Sequence, residues 1–539
     1  MSLPRQGALG SLSGEARREE SFRIRNRCAE YYKRHEIPAH LNNGDEERYS
    51  NDNFYASYSK GLPHNERGEV VSDAYLQYLN ILNSGAPHAF EQLPTGTPPA
   101  NFVRFTDPQS GLAYDLEGID SHQLAMPPCY EFRSAGEMAE IAENYWLAVC
   151  RDIPFNDYDS DSTTAAAAAD LNQFAAFDGP RDANGQVTTK TLFRGLTPGD
   201  LAGPWLSQFL VWDIPYGAQK VPAAIAYGLP ANTNYMTDEA SYIAVQNGVK
   251  PSIVPQPMTP VHIHRGRDLA NYVHIDELFQ AYLNACLLLI TPKNRGGFAA
   301  PLSDGNPYKT SKTQAGFGTL GEPNFKTLVA EVATRALKAV WFEKWFVHRR
   351  LRPEAFGARL HWNLVGGIPY EFDDAGLTAM RNGVLNRPEI QQAGYFLPMA
   401  FPEGCPTHPS YGAGHATVAG ACVTVLKAIF AENTTFGQFG IKPLQPKRDG
   451  SGTEEYQGGD AESLNVGGEL NKLAANVALA RNFAGVHWRS DYTESIKLGE
   501  MVATYFLHDT VQTYNEDVYF SFTRFDGKKV KISKGHIGV

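Results

Sequence analysis

The chain has 539 residues, of which 42% are hydrophobic and 20% charged, and its formal net charge at pH 7 is −11. This balance is typical of a soluble globular protein with a large core, and the acidic charge excludes a general nucleic-acid binder, which would need a basic face. No stretch approaches the roughly 18 uninterrupted apolar residues of a membrane helix, so the sequence also excludes a membrane-spanning protein.

The N-terminal part of the chain is predicted to be irregular. Its opening stretch, "MSLPRQGALGSLSGEARREE", has no apolar core of signal-peptide length, so the compartment is unknown and the cytoplasm is the default expectation. Residues 1–125 are rich in Asn, Asp, Gly and Pro, with only short apolar runs such as "DAYLQYLNIL". We therefore expect residues 1–125 to be a wrapping or oligomerisation region rather than a compact core.

A first helical region with a β-hairpin insert is predicted over residues 126–300. Helical periodicity begins in Ser134–Ile153, and "TTAAAAADLNQFAAF" predicts a second helix. The preceding "DYDSDS" is similar to the start of a calcium loop, but Ser162 and Ala168 occupy the positions that need Gly and Glu, which favours helix capping. Further on, "SYIAVQNGVKPSIV" is predicted to form strands of a hairpin.

Residues 301–539 are predicted to be a C-terminal helical bundle. The longest predicted helix covers Phe325–Glu354, with Pro353 near its end. Three more are predicted in "ATVAGACVTVLKAIFAEN", "ELNKLAANVALARNFAGVHW" and "SDYTESIKLGEMVATYFLHD". The expected fold class is therefore mainly α, built of helical bundles with minor β hairpins.

The six cysteines show no CxxC spacing, which argues against a zinc or iron–sulfur site. Cys286 and Cys422 lie in apolar runs and are expected to be buried. Cys28, Cys129 and Cys405 lie in polar or turn-rich stretches and are expected to be accessible. A disulfide between subunits stays open.

The stretch "PTHPSYGAGHATVAGA" places a glycine-rich turn before a helix, with His408 and His415 on either side of the turn. A helix start offers free backbone N–H groups and the positive end of the helix dipole, which together favour a bound anion. A plain capping turn with an incidental histidine is the alternative, and this segment alone does not decide between them.

Two other stretches supply positive groups. "KWFVHRRLRPE" contains Lys344 and Arg352, and "ARNFAGVHWRSD" contains Arg481, His487 and Asp491. Each stretch alone is explained by solvated charges at a helix end. Together with the helix start they form a set suited to a tetrahedral oxyanion. Two chemistries remain open from the residues: phosphate-ester hydrolysis through a phosphohistidine, or catalysis by a bound oxyanion such as vanadate.

These stretches resemble the signature of vanadium-dependent haloperoxidases, a signature shared with acid phosphatases of the same superfamily. The resemblance extends in order from about residue 60 to beyond residue 500, where the sequence resembles bromide-using enzymes of red algae and related cyanobacterial forms. The segments that carry it are "KGLPH", "YDLEG", "AMPP", "LFRG", "YLNAC", "EVATRALKAV", "HRRLRPE", "FLPMAF", "HPSYGAGHA", "AGACVT" and "GELNKLA".

The resemblance implies a vanadate cofactor and a residue set that holds it. His487 would bond the vanadium through a ring nitrogen. The groups that would balance the charge on the vanadate oxygens are Lys344, Arg352 and Arg481, with the Gly414 amide as an added donor.

Two further roles follow from the resemblance. His415 would hydrogen-bond the apical oxygen and manage its proton, and Asp491 would orient a neighbouring histidine or arginine; a helix-capping carboxylate is the alternative for Asp491. One position departs from the family pattern, because Ala413 stands where a serine is usual. The missing hydroxyl removes one donor, worth about 0.5–1.5 kcal/mol.

Two neighbours bear on halide preference. Trp341 precedes Lys344 by one helical turn, and His408 matches a histidine of the bromide-preferring branches. A core aromatic and a loop histidine are the respective alternatives. On balance the two residues favour bromide over chloride.

The implied activity is the oxidation of halide, bromide or iodide, by hydrogen peroxide to hypohalous acid, which halogenates small organic acceptors. An acid phosphatase with His487 as nucleophile is the alternative, and a non-catalytic assembly protein that retains the anion pocket is a third interpretation. The resemblance also implies a homo-oligomer, since relatives of this size form shells of twelve subunits. Structural calcium, known in some relatives, is not placed on this chain.

Overall fold

The computed structural model describes residues 14–538, which are mainly helical. The α-helices are α1 Gly14–Lys33, α2 Asp45–Arg48, α3 Ser72–Ser84, α4 Ala135–Cys150, α5 Ser162–Leu171, α6 Glu239–Gln246, α7 Gly266–Tyr272, α8 Gln280–Ile290, α9 Glu322–Phe342, α10 Pro353–Leu364, α11 Asp374–Asn382, α12 Pro388–Gln392, α13 Gly414–Ile429, α14 Phe436–Phe439, α15 Val466–Phe483 and α16 Arg489–Thr513. A π-helical turn, Glu343–His348, follows α9 directly. The fold class expected from the sequence is confirmed.

Short 3-10 helices connect many of these elements. They are Pro87–Gln92, Pro99–Asn101, Pro108–Leu112, Ser121–Gln123, Phe155–Asp157, Gln208–Leu210, Lys293–Arg295, Pro307–Lys309, Val384–Asn386 and Ala461–Ser463.

The centre of the molecule is a bundle in which α13 packs against α16, α9 and α15. Helices α13 and α16 cross at a very short distance. A Cβ on Gly420 would lie 2.1 Å from the Ile496 carbonyl oxygen, and one on Gly499 would lie 2.0 Å from that of Thr417. This close crossing fixes residues 417–420 of α13 against residues 496–499 of α16, a few residues beyond the two helix starts where candidate site residues lie.

The strands form small antiparallel sheets, of which the most C-terminal packs against the central helices α13 and α16. They are β1 Ile214–Tyr216 with β2 Gln219–Val221, β3 Ile225–Gly228 with β4 Gln256–Val261, β5 Leu444–Pro446 with β6 Thr453–Glu455, and β7 Phe520–Thr523 with β8 Lys529–Ser533 and β9 His536–Gly538.

The strand prediction for "SYIAVQNG" is wrong. This stretch lies in α6, where the Asp238 side chain accepts a hydrogen bond from the Ser241 amide as N-cap. Tyr242, Val245 and Gln246 are buried on one side, which is a helical spacing. The β-branched residues favoured a strand, but the cap and the buried face determine the outcome.

The N-terminal region contributes to the common core. Tyr75 and Tyr78 of α3 are fully buried in the same apolar cluster as the bundle helices. Helix α1, in contrast, buries only Tyr32 among its residues. Residues 1–13 of the predicted wrapping region lie outside the described residues. The divisions at residues 125 and 300 stay predictions.

The predicted continuous helix over 325–354 is wrong. Helix α9 ends at Phe342, and the π-helical turn that follows ends at His348. The next residue, Arg349, has a left-handed φ of 40°. Pro353 then occupies the first turn of α10 instead of ending a helix. Lys344 and Arg352 therefore belong to different elements.

The structure also decides the expectations for the start of α5 and for the cysteines. Asp161 caps α5 by accepting from the amides of Thr163 and Thr164, so the capping interpretation of "DYDSDS" is confirmed. All six cysteines are free, and Cys129 and Cys405 are buried, against the expectation of accessibility. None of the helices between residues 14 and 538 is long and apolar enough to cross a lipid bilayer.

Candidate active site

Arg352 ties together the loop before α13 and the loop before α16. It stands immediately before Pro353, and this helix start orients its side chain into the protein. Its Nε and Nη2 donate to the His408 carbonyl oxygen, at 3.0 and 2.8 Å, and its Nη1 donates to the Val486 carbonyl oxygen at 2.7 Å. Because these partners are neutral, the charge of Arg352 is left uncompensated.

Lys344 reaches the same loop from the π-helical turn. Its Nζ donates to the carbonyl oxygens of Pro409 and Ser410, at 2.8 and 3.0 Å. The side chain is fully buried. Burial, and then the nearby charges of Arg352 and Arg481, hold the pKa of Lys344 well below its usual range.

Arg481, near the end of α15, is the third buried cation. Its Nη1 donates to the Val273 carbonyl oxygen at 2.8 Å, and the guanidinium lies over the Phe401 ring, 5.5 Å from the ring centre. Its Nε is buried and has no hydrogen-bond partner. Burial lowers the pKa of Arg481 to about 10.

These three cations lie near one another and have no carboxylate partner among residues 14–538. In the part of the chain that the structure describes, none of them forms an ion pair with a carboxylate. All three donate to carbonyl oxygens, and Arg352 also donates to two histidine rings. The neighbouring Arg350 is the opposite case, since it contacts three carboxylates. Buried charges are normally paired, so a group of three neighbouring cations without carboxylate partners is suited to binding an anion.

The donor–acceptor pattern around His487 defines its tautomer. Its Nδ1 lies 2.6 Å from the Asp491 carboxylate oxygen Oδ2, and its Nε2 lies 3.0 Å from Nη1 of Arg352. A carboxylate only accepts and a guanidinium only donates, so Nδ1 carries the proton and Nε2 presents a lone pair. Burial, and then Arg352, hold the pKa of His487 well below its usual range, which keeps the ring neutral.

Asp491 is held from several directions. Its Oδ2 also accepts from the Ser410 hydroxyl and, at 3.1 Å, from the Trp488 amide, while its Oδ1 accepts from Nη1 of Arg350 at 2.8 Å. Burial alone would raise the pKa of Asp491, but Arg350, His487 and Ser410 together lower it. Asp491 is therefore ionised and fixed behind His487.

His415 lies in the first turn of α13, on the more open side of the site. Its Nε2 is 3.1 Å from the Asp276 carboxylate, and its side chain is 17% exposed. Burial would raise the pKa of Asp276, but His415 and then Arg481 lower it. Asp276 thus connects His415 electrostatically to the cations.

The start of α13 offers uncapped amides to the site. Gly414 is the first helical residue, and Ala413 before it has no side chain that can accept from the first turn. The Ala413 amide itself donates to the Ser495 hydroxyl at 2.8 Å. The positive end of α13 therefore adds to the cationic potential.

Trp341 and His408 form one wall. Their ring centres are 5.0 Å apart, and Trp341 Nε1 donates to the Thr106 carbonyl oxygen at 3.0 Å. A Cβ on Gly414 would lie 3.0 Å from the Trp341 ring, so Trp341 contacts the helix start directly. His408 Nδ1 accepts from Arg352 at 3.0 Å, and burial with the nearby Lys344 and Arg352 keeps its pKa well below the usual range.

The structure thus brings the sequence-derived residues into one region. Hydrogen bonds join Arg352, His408, His487 and Asp491, and Lys344 binds the same loop. Arg481 is close enough to lower the pKa of Lys344, while His415 is linked through Asp276.

Sequence reasoning missed Arg350, Ser410 and Asp276. Arg350 was visible beside Arg352 in "HRRLRPE", but its spacing gives no sign of its partners. Asp276 lies between α7 and α8, more than a hundred residues before His415, and no local pattern marks it. Only the tertiary contacts identify these three residues.

The residues present fit a tetrahedral oxyanion of the vanadate type. The orphaned Nε of Arg481, the unpaired cations and the uncapped start of α13 supply donors and positive charge. The Nε2 lone pair of His487 supplies a metal ligand, and Asp491 supplies the carboxylate that commonly orients such a ligand.

Comparison with known proteins identifies the same chemistry. A model of the VCPO second helical-bundle domain matches residues 328–516. The chain is 34% identical to the vanadium-dependent bromoperoxidase of Corallina officinalis over 606 aligned positions, which cover 96% of this chain and 99% of the relative. It is 32% identical to that of Ascophyllum nodosum over 517 positions, covering 91% and 88%.

A solved structure agrees with the sequence relatives. The homohexameric second vanadate-dependent bromoperoxidase of Ascophyllum nodosum superposes with a TM-score of 0.89 and 28% identity, over 99% of this chain and 93% of that one. With a third of its residues identical to named relatives across nearly its whole length, the chain belongs to the family of vanadium-dependent bromoperoxidases.

Proposed function

We propose that this chain is a vanadate-dependent bromoperoxidase. It oxidises bromide with hydrogen peroxide and a proton to hypobromous acid and water, and the hypobromous acid halogenates small organic acceptors. The observation that carries the proposal is the group of three buried cations without a carboxylate partner in the described chain, next to His487, whose unprotonated Nε2 faces Arg352.

Each proposed ligand has a distinct task. His487 Nε2 is the metal ligand, and the Gly414 amide is an added donor. The side chains that balance the charge of the oxygens are Lys344, Arg352 and Arg481. Bound vanadate supplies a Lewis acid that activates peroxide without a change in the oxidation state of the metal.

The remaining residues manage protons and orientation. His415, which is part-exposed and in contact with Asp276, holds or releases the proton that peroxide chemistry requires. Asp491 keeps the His487 proton on Nδ1, so that Nε2 stays available. The burial of Lys344, Arg352 and His487 excludes water and strengthens their interaction with an anion.

Trp341 and His408 support a preference for bromide. Their rings lie against the start of α13, which is where a halide attracted by the cations would arrive. The neutral His408 ring and the Trp341 indole are more polarisable than charged side chains would be, and they bind less water. Such a wall suits the more weakly hydrated bromide better than chloride.

The proposed assembly is a homo-oligomer. The Ascophyllum nodosum structure is a homohexamer and covers 99% of this chain, which supports assembly without fixing the subunit number. A hexamer and a dodecamer differ twofold in mass. Light scattering on the purified protein distinguishes them, and a monomer would contradict this part of the proposal.

The experiment that tests the activity uses vanadate-loaded protein, peroxide, bromide and a phenol dye. We expect bromination by the parent protein and at least a hundredfold loss in His487→Ala. The matched control is His508→Ala, because His508 is also buried and paired with an aspartate but lies in the C-terminal part of α16. Bromination retained by His487→Ala would overturn the assignment.

The same preparations address the phosphatase alternative. The relatives reported above are bromoperoxidases, and this does not favour a phosphatase activity. Hydrolysis of p-nitrophenyl phosphate by the vanadate-free protein, without bromination by the loaded one, would reverse this conclusion.

A further inference from the structure

We propose that Arg350 is a positioning residue that acts on the site through Asp491, with Glu137 and Glu140 of α4 as its supports. The inference rests on the proposed function, since it assigns Arg350 the task of holding the imidazole of His487 for vanadate. Arg350 does not contact the anion-binding cations.

The guanidinium of Arg350 bridges two parts of the molecule. Its Nη1 donates to Asp491 Oδ1 at 2.8 Å, and its Nη2 donates to Glu140 at 2.7 Å and also to Glu137. The Trp488 ring lies under it, with the guanidinium carbon 4.6 Å from the ring centre. Arg350 therefore has a fixed position, set by α4 on one side and by the start of α16 on the other.

The two acids of α4 are themselves held in place. Glu140 accepts from both the amide and the hydroxyl of Ser490, which also accepts from Arg350. Glu137 and Glu140 are buried, and burial raises the pKa of each against the attraction of Arg350. The support thus extends from α4 to the first turn of α16.

The orientation reaches His487 through the two oxygens of Asp491. With Oδ1 occupied by Arg350, Oδ2 is directed at His487 Nδ1 and at Ser410. Hydrogen bonds to both oxygens fix the plane of the Asp491 carboxylate, and this in turn fixes the direction of the His487 imidazole. A carboxylate without Arg350 would keep its charge but could rotate, and Nε2 would lose its fixed direction.

The desolvation cost of burying Arg350 with its three carboxylate partners supports a role beyond packing. Three buried carboxylates surround one guanidinium, and a buried ionic group of this kind contributes little stability compared with apolar residues of the same volume. Residues that hold a metal-binding histidine from behind, in contrast, commonly change metal affinity by 10–100-fold. The geometry favours this second explanation.

The test compares Arg350→Lys with Arg489→Lys. Arg489 is an equally buried arginine on α16, paired with Glu143 instead of Asp491. Vanadate is titrated calorimetrically into vanadate-free protein. We expect Arg350→Lys to weaken vanadate binding by about 10–100-fold and Arg489→Lys to change it by less than about threefold.

A double variant that also carries Asp491→Asn distinguishes a positioning role of Arg350 from a general loss of stability. If Arg350 acts through Asp491, then Arg350→Lys should cost less than about twofold in affinity when Asp491→Asn is already present. A purely structural effect would instead be additive. If Arg350→Lys does not fold, as judged by its melting transition, Glu140→Gln replaces it, with an expected loss of about tenfold.

The outcomes distinguish this inference from the proposed function. Failure of the parent protein to bind vanadate overturns the function. Parent binding with unchanged affinity in Arg350→Lys, or an undiminished loss in the Asp491→Asn background, overturns the positioning role and leaves the function standing.

Discussion

At the scale of single residues, Ala413 is the site position at which the resemblance to the family implies a serine. It is the N-cap of α13 and is buried, and the helix amides beyond it have no side-chain acceptor. We predict that Ala413→Ser increases vanadate affinity about 2–10-fold, because a hydroxyl donor is worth about 0.5–1.5 kcal/mol. Calorimetric titration of the vanadate-free variant measures the change.

A serine at position 413 could cap α13 instead of donating a hydrogen bond to vanadate. Its oxygen can accept from the first-turn amides and cap α13, which typically stabilises a protein by about 1 kcal/mol. In that case the melting temperature of the vanadate-free variant rises while its vanadate affinity stays at the parent value. That result would contradict the prediction and assign the hydroxyl to the helix.

Residue-scale chemistry is only partly visible in the sequence. The segment "HRRLRPE" contains three arginines, and the family pattern singles out Arg352. In the structure, Arg349 pairs with Glu46, Arg350 pairs with Asp491 and two glutamates, and Arg352 has no carboxylate partner. All three carry the same charge and lie within four residues, and their distant partners separate them in the structure.

At the scale of elements, the interruption after α9 is what positions two of the cations. Apolar periodicity continues through "WFEKWFV" without a break, so the sequence predicts one long helix. The π-helical turn and the left-handed Arg349 redirect the chain, and Pro353 begins α10. A proline after helical periodicity fits both a helix end and a helix start, and local sequence does not distinguish them.

The crossing of α13 and α16 provides the element-scale prediction. A Cβ on Gly499 would lie 2.0 Å from the Thr417 carbonyl oxygen, which is backbone and cannot move without shifting α13. We predict that Gly499→Ala destabilises the protein by at least about 2 kcal/mol, the range of overpacked cores. The melting temperature should fall, and vanadate binding should weaken because both first turns border the site.

The matched control for this prediction is Gly318→Ala. Gly318 has open space around the position of a new Cβ and no left-handed backbone, so its substitution should leave the melting temperature nearly unchanged. Equal melting temperatures for the two variants would show that the helices separate at little cost, and would contradict the close-crossing argument.

At the scale of the whole molecule, the sequence anticipates more of the fold class than of the contacts. The helical bundle of the C-terminal half follows from apolar periodicity, which is a local property. The site combines segments from residues 137 to 491, and their pairing depends on packing that no short pattern contains. The ordered resemblance supplied the site because a family signature already records such distant pairings.

The buried Lys427 shows how the core of the bundle depends on pH. It lies on α13, where its Nζ donates to Asn471 Oδ1 at 3.1 Å and to the Thr523 carbonyl oxygen at 2.7 Å. The side chain is 1% exposed and lies over the Phe525 ring. Burial lowers the pKa of Lys427 from 10.5 to about 8.

Between these two pKa values the unfolded chain binds a proton on Lys427 that the folded chain does not, so the free energy of unfolding rises with pH. The gain is about 1.4 kcal/mol per pH unit, on the order of 3 kcal/mol in total, and it is lost again as the pH falls from 10.5 to about 8. Lys427→Met lacks this proton, so the parent should gain stability relative to the variant from pH 8 to 10.5, as followed by melting temperature. Lys442→Met, at an exposed lysine, should show no such trend. A constant difference between parent and Lys427→Met across that range would mean that Lys427 stays charged in the folded protein, with Asn471 and Thr523 compensating for its burial.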